Sequence, residues 1–281
     1  MLTAVEAINA VGEGPIRTAS CWPIDIRCRD AAGTVCVVRV KPINRQHLSG
    51  VAVSEAVSWS ILSTCGLRVA EPFIVTMSAK FAADLTAQCR YDPPVKAGRH
   101  WGTRVLSAVP LDKDLDRETL DQVGRAEDIF RIFVIDELTG NRDRLTEGNL
   151  LLVTDPVLPA RLVAIDQSDC FGGRACVCDR DCLATRSGER YAHHYQVMEQ
   201  LLLDRPVEFV DQELALIEAQ RGAILDAVNL PHAEWYDGAR ITPDCLSDYL
   251  TSRLQNLGQL IQRDLWRGVC EMGRQRAGGL I

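Results

Sequence analysis

The sequence contains no apolar run that approaches the ~18 consecutive residues needed to cross a membrane. Residues 1–15, MLTAVEAINAVGEGP, place no basic segment ahead of a long apolar stretch, so no signal peptide is expected there. Internal repeats and low-complexity segments are also lacking. Together these absences favour a cytoplasmic protein that does not use a membrane as a partner.

Positive charge is also in short supply. Lys and Arg number 31 against 38 Asp and Glu, which gives a formal net charge of −7. Because binding to nucleic acid requires a concentration of Lys and Arg, direct binding to nucleic acid is not expected. With 47% hydrophobic and 25% charged residues, the composition is that of an ordinary globular protein, and small-molecule and protein substrates both stay open.

Cysteine, in contrast, is abundant, with 11 residues. An odd number of mostly scattered cysteines in a chain without an export signal favours reduced thiols over a disulfide framework. One segment concentrates possible zinc ligands, which are Cys170, Cys176, Cys178 and Cys182, with His193 and His194 behind them. Zinc binds four thiolate or imidazole ligands, although C-x-C-x₃-C is not the commonest knuckle. Bound Zn²⁺ and an unliganded, redox-sensitive loop are therefore both open.

The hydrophobic patterning predicts a β-rich first third and a mostly helical remainder. Expected strands cover 4–11, 23–30, 35–42, 73–77 and 99–110, with helices over 50–66 and 79–89. A linker follows near Ala108 to Leu111, and two short paired strands interrupt the later helices. This order predicts an α+β fold with two lobes, a β-sheet lobe over 1–108 and a helical lobe over 109–281.

The most informative stretch is 136–171, DELTGNRDRLTEGNLLLVTDPVLPARLVAIDQSDCF. It places Asp143 in a short polar loop and Asn149 just before an apolar run, and a second apolar run ends at Asp166. A Mg·ATP phosphotransfer site needs such groups, because one carboxylate must face the acceptor hydroxyl while an amide and a second carboxylate hold the metal. Taken separately, Asp143 is also compatible with a solvated turn and Asp166 with an exposed strand end.

These residues, in this order, resemble the HipA-like kinases, a branch of the protein-kinase-like superfamily that shares a catalytic loop with the phosphatidylinositol kinases. The loop in that branch reads G-N-x-D-R-H-x-x-N, and a hairpin and I-D-H or I-D-x-S follow it. Here the corresponding segments read GNRDRLTEGN and AIDQS. Upstream, VRVKP resembles the strand that carries the ATP-contacting lysine, and RHWGTRVLSAVP resembles the fifth strand and hinge. The resemblance covers roughly residues 5–175.

The resemblance implies a two-lobed kinase fold, with a small antiparallel sheet in the first lobe and a catalytic β-hairpin in the helical lobe. It also implies that ATP and Mg²⁺ bind between the lobes. Lys41 would contact the phosphates and Glu55, in the first turn of the next helix, would hold Lys41 in place. Asp143 would accept the proton of the attacking hydroxyl. Asn149 and Asp166 would ligate Mg²⁺ through hard oxygen atoms.

Further nucleotide contacts are implied on both sides of the cleft. A loop with Gly12, Gly14 and Ser20 would cover the phosphates with backbone N–H groups, and Leu106 would lie beside the nucleotide at the linker. Arg144 would either contact phosphate or stabilise the catalytic loop. The acceptor implied by the resemblance is a Ser or Thr hydroxyl on a protein or on the enzyme itself.

The sequence departs from the family pattern at two places. Leu145 stands where the family has a histidine, and the spacing from Asp143 to Asn149 is one residue longer. In addition, the phosphate-covering loop is not a complete G-x-G-x-x-G motif. Three alternatives therefore stay open: a small-molecule kinase, whose cationic acceptor the acidic balance would suit, a pseudokinase that only binds its partners, and a transferase that moves AMP.

Overall fold

The structure is a computed structural model of the 281-residue chain. It describes residues 2–12, 14–15, 22–44, 47–110, 127–141, 143–144, 149–153, 160–175, 198–237, 239 and 241–278. Within these ranges strands predominate in the first third of the chain and helices in the remainder, as the patterning predicts. The protein is a mixed α+β molecule. The division into lobes at residue 108 stays a prediction.

The strands are β1 Thr3–Ala10, β2 Ile24–Asp30, β3 Val35–Val40, β4 Pro72–Met77, β5 Gly98–Arg104, β6 Val109–Pro110, β7 Leu150–Val153 and β8 Arg161–Ala164. The helices are α1 His47–Thr64, α2 Ala79–Cys89, α3 Glu127–Thr139, α4 Glu208–Ala219, α5 Arg221–Asp226, α6 Ala233–Tyr236, α7 Pro243–Gln255, α8 Leu257–Leu260 and α9 Arg263–Gly278. Short 3₁₀ turns cover Cys170–Ala175 and Ala227–Asn229, and residues 198–202 are helical.

The first five strands form a closed barrel in the order β1-β2-β3-β5-β4, where a small antiparallel sheet was expected. Neighbouring strands are antiparallel except for β1 and β4, which run parallel from the pair Thr3↔Phe73 to Glu6↔Thr76. The closing pair leaves no strand of the barrel with an unpaired edge. Alternating side chains such as Ile24, Ile26, Val38 and Val40 fill the interior, where each is 0% exposed.

Helix α1 belongs to the core that the later helices form. Every residue from 48 to 58 is buried, and apolar residues occur on all faces of the helix, as expected for a helix packed on all sides. Val53 and Val57 share one hydrophobic cluster with Phe130 and Phe133 of α3 and with Ile224 of α5. The helix ends at Thr64, and Gly66, just beyond it, has a φ of +76°, the left-handed conformation that glycine adopts without strain.

The predicted hairpin is present and lies beside this core. Strands β7 and β8 pair antiparallel from Leu150↔Ala164 to Val153↔Arg161, and β6 adds a short third strand. Leu162, Val163 and Leu150 are buried, so one end of the hairpin is fixed against the helices. The hairpin therefore fixes the positions of residue 149, which precedes β7, and residue 165, which follows β8.

The cysteines only partly follow the expectation of reduced thiols. Six described cysteines are free, namely Cys28, Cys36, Cys65, Cys89, Cys170 and Cys270, and most are buried as small hydrophobic residues. Cys245 instead forms a disulfide bond, so the expectation is wrong for this residue. The count and spacing of cysteines gave no information about which of them meet in space.

The zinc hypothesis falls largely outside the described residues. Cys176, Cys178 and Cys182 and both histidines lie in 176–197, so a metal site there stays a prediction. The described part of the chain contains no group of three or more His, Cys, Asp or Glu side chains that could hold a metal ion. In the same part, no helix combines the length and the apolar character needed to cross a membrane.

Candidate functional site

Lys41 is the centre of an ionic cluster that joins the barrel to the helical core. It directly follows β3, and its backbone N–H donates to the carbonyl of Trp101 on β5 at 3.3 Å. Its ammonium Nζ contacts Glu55 Oε1 and lies 2.6 Å from Asp166 Oδ1. Lys41 follows β3, Glu55 lies on α1, and Asp166 lies two residues after β8. In the sequence, 125 residues separate Lys41 from Asp166.

Glu55 lies in the middle of α1, which begins at His47, and not in the first turn of the helix, where it was expected. Besides Lys41, its Oε1 accepts the backbone N–H of Gln167 at 3.0 Å. Burial raises the pKa of Glu55 and is opposed by the Lys41 ammonium, while the neighbouring Asp166 carboxylate adds to the rise. The carboxylate thus ties α1 both to the lysine and to the segment that follows β8.

The two carboxylate oxygens of Asp166 differ in their hydrogen-bond partners. Its backbone is left-handed, with φ of +53°, and its Oδ1 accepts from Lys41 Nζ, from the Ser168 hydroxyl and from the Ser168 N–H at 3.2 Å. Among the described residues, Oδ2 has no hydrogen-bond partner. Burial alone would raise the pKa of Asp166, but Lys41 and Ser168 outweigh burial and lower it to about 2. Asp166 is therefore an ionised carboxylate with one oxygen left open.

Asn149 reaches the loop that carries Asp143 despite the longer spacing in the sequence. Its Nδ2 donates to the backbone carbonyl of Asp143 at 2.7 Å, and its own carbonyl accepts the N–H of Ile165, which precedes Asp166, at 3.1 Å. The extra residue lies in 145–148, outside the described part of the chain, together with Leu145. With Nδ2 engaged, the amide oxygen Oδ1 of Asn149 has no partner among the described residues.

Arg144 follows Asp143 in the same loop, and its side chain is buried, with 1% exposed. Its Nε and Nη2 form two bonds with Asp136, at 2.9 and 3.0 Å, and Nη2 also donates to Gln167 Oε1 at 2.7 Å. Its Nη1 donates to the carbonyls of Asn149 and Ile165, at 2.8 and 2.6 Å. All of the guanidinium donors are therefore used within the protein. Of the two roles considered for Arg144, this geometry favours support of the loop over contact with phosphate.

The expected phosphate-covering loop is only partly described. Gly12 and Gly14 have φ of +81° and +126°, and a Cβ added to either would have no atom of the other described residues, chain neighbours aside, within 4 Å. Ser20 lies outside the described residues. Leu106 is partly buried in the segment between β5 and β6, where the linker was expected. These positions stay predictions for nucleotide binding.

The open oxygens are of the chemical kind that Mg²⁺ prefers. Asp166 Oδ2 and Asn149 Oδ1 are hard oxygen atoms on two segments that a backbone hydrogen bond joins. Mg²⁺ commonly uses only one or two protein ligands and completes its octahedral shell with phosphate oxygens and water. A cluster of three carboxylates is therefore not needed at this site.

His100 fixes the segment that follows Lys41. Its Nδ1 accepts the N–H of Ile43 at 2.9 Å, and its Nε2 lies 3.0 Å from the carbonyl of Lys96, so the ring is neutral with the proton on Nε2. Burial lowers the pKa of His100 from 6.5 to about 4, against the opposing hydrogen bond to Lys96. The neutral imidazole thus contributes to holding the end of β3.

We expect this histidine to make folding stability depend on pH. Since the folded-state pKa is lowered, the unfolded state binds more protons between about pH 6.5 and pH 4, and stability falls as the pH falls through this window. The shift corresponds to about 3 kcal/mol in the free energy of unfolding. Urea unfolding at several pH values should show a flatter dependence in His100→Asn, and equal slopes in the variant and the wild-type protein would contradict the expectation.

Sequence reasoning missed four residues that support the site, namely Asp136, Gln167, Ser168 and His100. Asp136 carried a signal, because it interrupts the apolar run FVIDEL, and a carboxylate buried in such a run needs a partner that neutralises it. In the structure Asp136 is 1% exposed. The D-x-S spacing was a weaker signal, since Ser side chains often bond to nearby backbone and side-chain groups. No local pattern indicates that Gln167 donates to Glu55, because 112 residues separate the two.

Comparisons with known proteins do not assign the chain to a family. No family model matches the chain, and no curated protein matches it. A search of solved structures aligns it with the crystal structure of a Helicobacter pylori proinflammatory kinase, CtkA, over 96% of this chain and 99% of that chain. The sequence identity is 13% and the TM-score is 0.45. At this level the likeness does not assign an activity to the chain.

Proposed function

We propose that the protein is an ATP- and Mg²⁺-dependent phosphotransferase of the HipA-like type. The observation that carries the proposal is the contact of Lys41 with both Glu55 and Asp166. A lysine that neutralises two carboxylates, one on a helix and one beside an asparagine, matches the arrangement that positions a triphosphate and its metal in protein-kinase-like sites.

Each residue has a definite role in this proposal. Lys41 binds the phosphates and Glu55 orients Lys41. Asp166 and Asn149 hold Mg²⁺, which when bound neutralises charge on the transferring phosphoryl group. Asp143, which Asn141 and Asn149 hold through its backbone, orients the acceptor hydroxyl and accepts its proton. The acceptor is a Ser or Thr hydroxyl on a protein or on the enzyme itself.

The pseudokinase alternative rests on the longer loop and on Leu145. The bond from Asn149 to the carbonyl of Asp143 supports an intact loop and therefore favours the active enzyme. The small-molecule kinase and the AMP transferase share the same metal and phosphate groups, so only the transferred group and the acceptor distinguish them. The transfer experiment must therefore follow the label as well as the activity.

Incubation of the purified protein with labelled ATP tests the proposal. With γ-labelled ATP and Mg²⁺, we expect label on the protein itself or on an added Ser/Thr-containing protein, and none after chelation of the metal. Transfer of label from α-labelled ATP would indicate AMP transfer instead. Absence of transfer and of ATP hydrolysis from either nucleotide would contradict the phosphotransferase proposal.

A further inference from the structure

The side chain of Ser168 is in contact with the proposed metal ligand, and the roles assigned above do not use it. Ser168 is 7% exposed and lies two residues after Asp166, in the turn that leads from β8 to the 3₁₀ segment. Its hydroxyl and its backbone N–H both donate to Oδ1 of Asp166. Lys41 Nζ donates to the same oxygen at 2.6 Å.

Three donors on one oxygen restrict how the carboxylate can bind a cation. Each carboxylate oxygen has about two lone-pair positions, so the hydroxyl and the N–H of Ser168 are enough to fill Oδ1 when Lys41 donates to phosphate instead. Oδ2 has no partner among the described residues and remains for a cation. A carboxylate held in this way binds through one oxygen.

One-oxygen binding distinguishes between divalent cations. Mg²⁺ requires a compact octahedral shell and accepts single oxygens, whereas Ca²⁺ takes six to eight oxygens and readily binds both oxygens of one carboxylate. A carboxylate free to offer both oxygens therefore favours Ca²⁺ more than a restrained carboxylate does.

We propose that Ser168 is a positioning residue that makes Asp166 a one-oxygen ligand and thereby favours Mg²⁺ over Ca²⁺ at the site. This inference rests on the proposed function, because it takes Asp166 as the metal ligand. The hydroxyl of Ser168 acts through Asp166 and contacts neither the acceptor nor the phosphates in the proposed arrangement. Outer hydrogen bonds of this kind commonly change metal affinity by ~10–100-fold.

Melting of the protein with a fixed concentration of a non-hydrolysable ATP analogue, at increasing MgCl₂ or CaCl₂, tests the inference. Identical solutions are used for every variant, so chelation of the ion by the nucleotide cancels in the comparison. For Ser168→Ala we expect the Mg²⁺ concentration at half-maximal stabilisation to rise about tenfold, and the Ca²⁺ value to rise less. Ser168→Thr, which keeps a hydroxyl, should restore the wild-type Mg²⁺ value.

Ser54→Ala is a matched control, because it also removes a buried hydroxyl, which Ser54 donates to the carbonyl of Cys170. It should change the midpoint without ions but not the ion dependence. Unchanged Mg²⁺ dependence in Ser168→Ala, or equal changes for Mg²⁺ and Ca²⁺, would overturn the role of Ser168 while leaving the proposed function intact. Failure of Mg²⁺ to affect nucleotide stabilisation in the wild-type protein would overturn both.

Discussion

Replacement of Arg144 by methionine will destabilise the protein by about 3–5 kcal/mol, because the change leaves the carboxylate of Asp136 buried without its charge partner. The two side chains are 1% and 2% exposed, so water cannot replace the lost guanidinium. The variant also loses the bonds from Arg144 to the carbonyls of Asn149 and Ile165, which connect the loop that carries Asp143 to the start and the end of the β7–β8 hairpin. Chemical unfolding monitored by circular dichroism measures the effect.

Two controls separate the buried charge from the loss of a long side chain. Asp136→Asn combined with Arg144→Met removes both charges and should recover part of the lost stability, since no unpaired carboxylate remains. Arg274→Met removes an exposed arginine, whose partner Glu271 lies 3.3 Å away, and should change stability by less than about 0.5 kcal/mol. Equal effects of Arg144→Met and Arg274→Met would contradict the interpretation of the buried pair.

Replacement of Asp143 by asparagine will lower the rate of phosphoryl transfer by about 10²–10⁴-fold, because the amide cannot accept the proton of the acceptor hydroxyl. Both backbone contacts of Asp143, from Asn141 and Asn149, stay available in the variant, so the loop should keep its conformation. We therefore expect KM for ATP to change little while kcat falls. Steady-state kinetics with γ-labelled ATP separate these two constants.

Lys41→Met is a useful comparison for this variant. It removes the group proposed to bind the phosphates, so a change in KM for ATP is expected together with a lower kcat. A transfer rate in Asp143→Asn equal to that of the wild-type protein would show that Asp143 is not the base. The assignment of Lys41, Glu55 and Asp166 would then have to stand on nucleotide binding alone.

Much of the local structure was predictable from the sequence. Alternating residues in IDIRC and VCVVRV indicated β2 and β3, and glycine after WSILST indicated the end of α1. The order of the elements predicted the α+β arrangement. These features depend on neighbouring residues in the chain, which is why patterns in the sequence are sufficient to find them.

The closure of the barrel was not predictable in the same way. Strand β1 pairs with β2 through a connection along the chain, but its pairing with β4 joins residues about seventy positions apart, such as Val5 and Val75. The alternation that buries one face of β1 is the same in an open sheet and in a closed barrel. The hydrophobic pattern therefore left the parallel pair undetermined.

The helix α1 was predicted, but its start was misplaced for a related reason. Its apolar residues occur on every face, so the sequence contains no stripe that identifies one buried side or the start of the helix. As a result Glu55 was expected in the first turn, whereas it lies well inside a helix that begins at His47. Packing of the helix on all sides accounts for the absence of a polar face.

The polar loop around Asp143 shows the same limit for charged residues. Asn141 and Arg144 look like parts of a solvated turn, but both are buried. Their burial depends on Asp136 in α3 and on Gln167 after β8, which approach the loop only in the folded chain. A single sequence contains the partners but not their pairing, so the choice between a phosphate contact and loop support needed coordinates.

In the proposed site, Lys41, Asp166 and Asn149 bind one divalent cation and a triphosphate. A crystal structure of the protein with a non-hydrolysable ATP analogue and Mg²⁺ tests this arrangement most directly. We predict an ion about 2.0–2.1 Å from Asp166 Oδ2 and from Asn149 Oδ1, with Lys41 Nζ at the phosphates. An ion bound elsewhere, or a nucleotide that does not approach Lys41, would contradict the account.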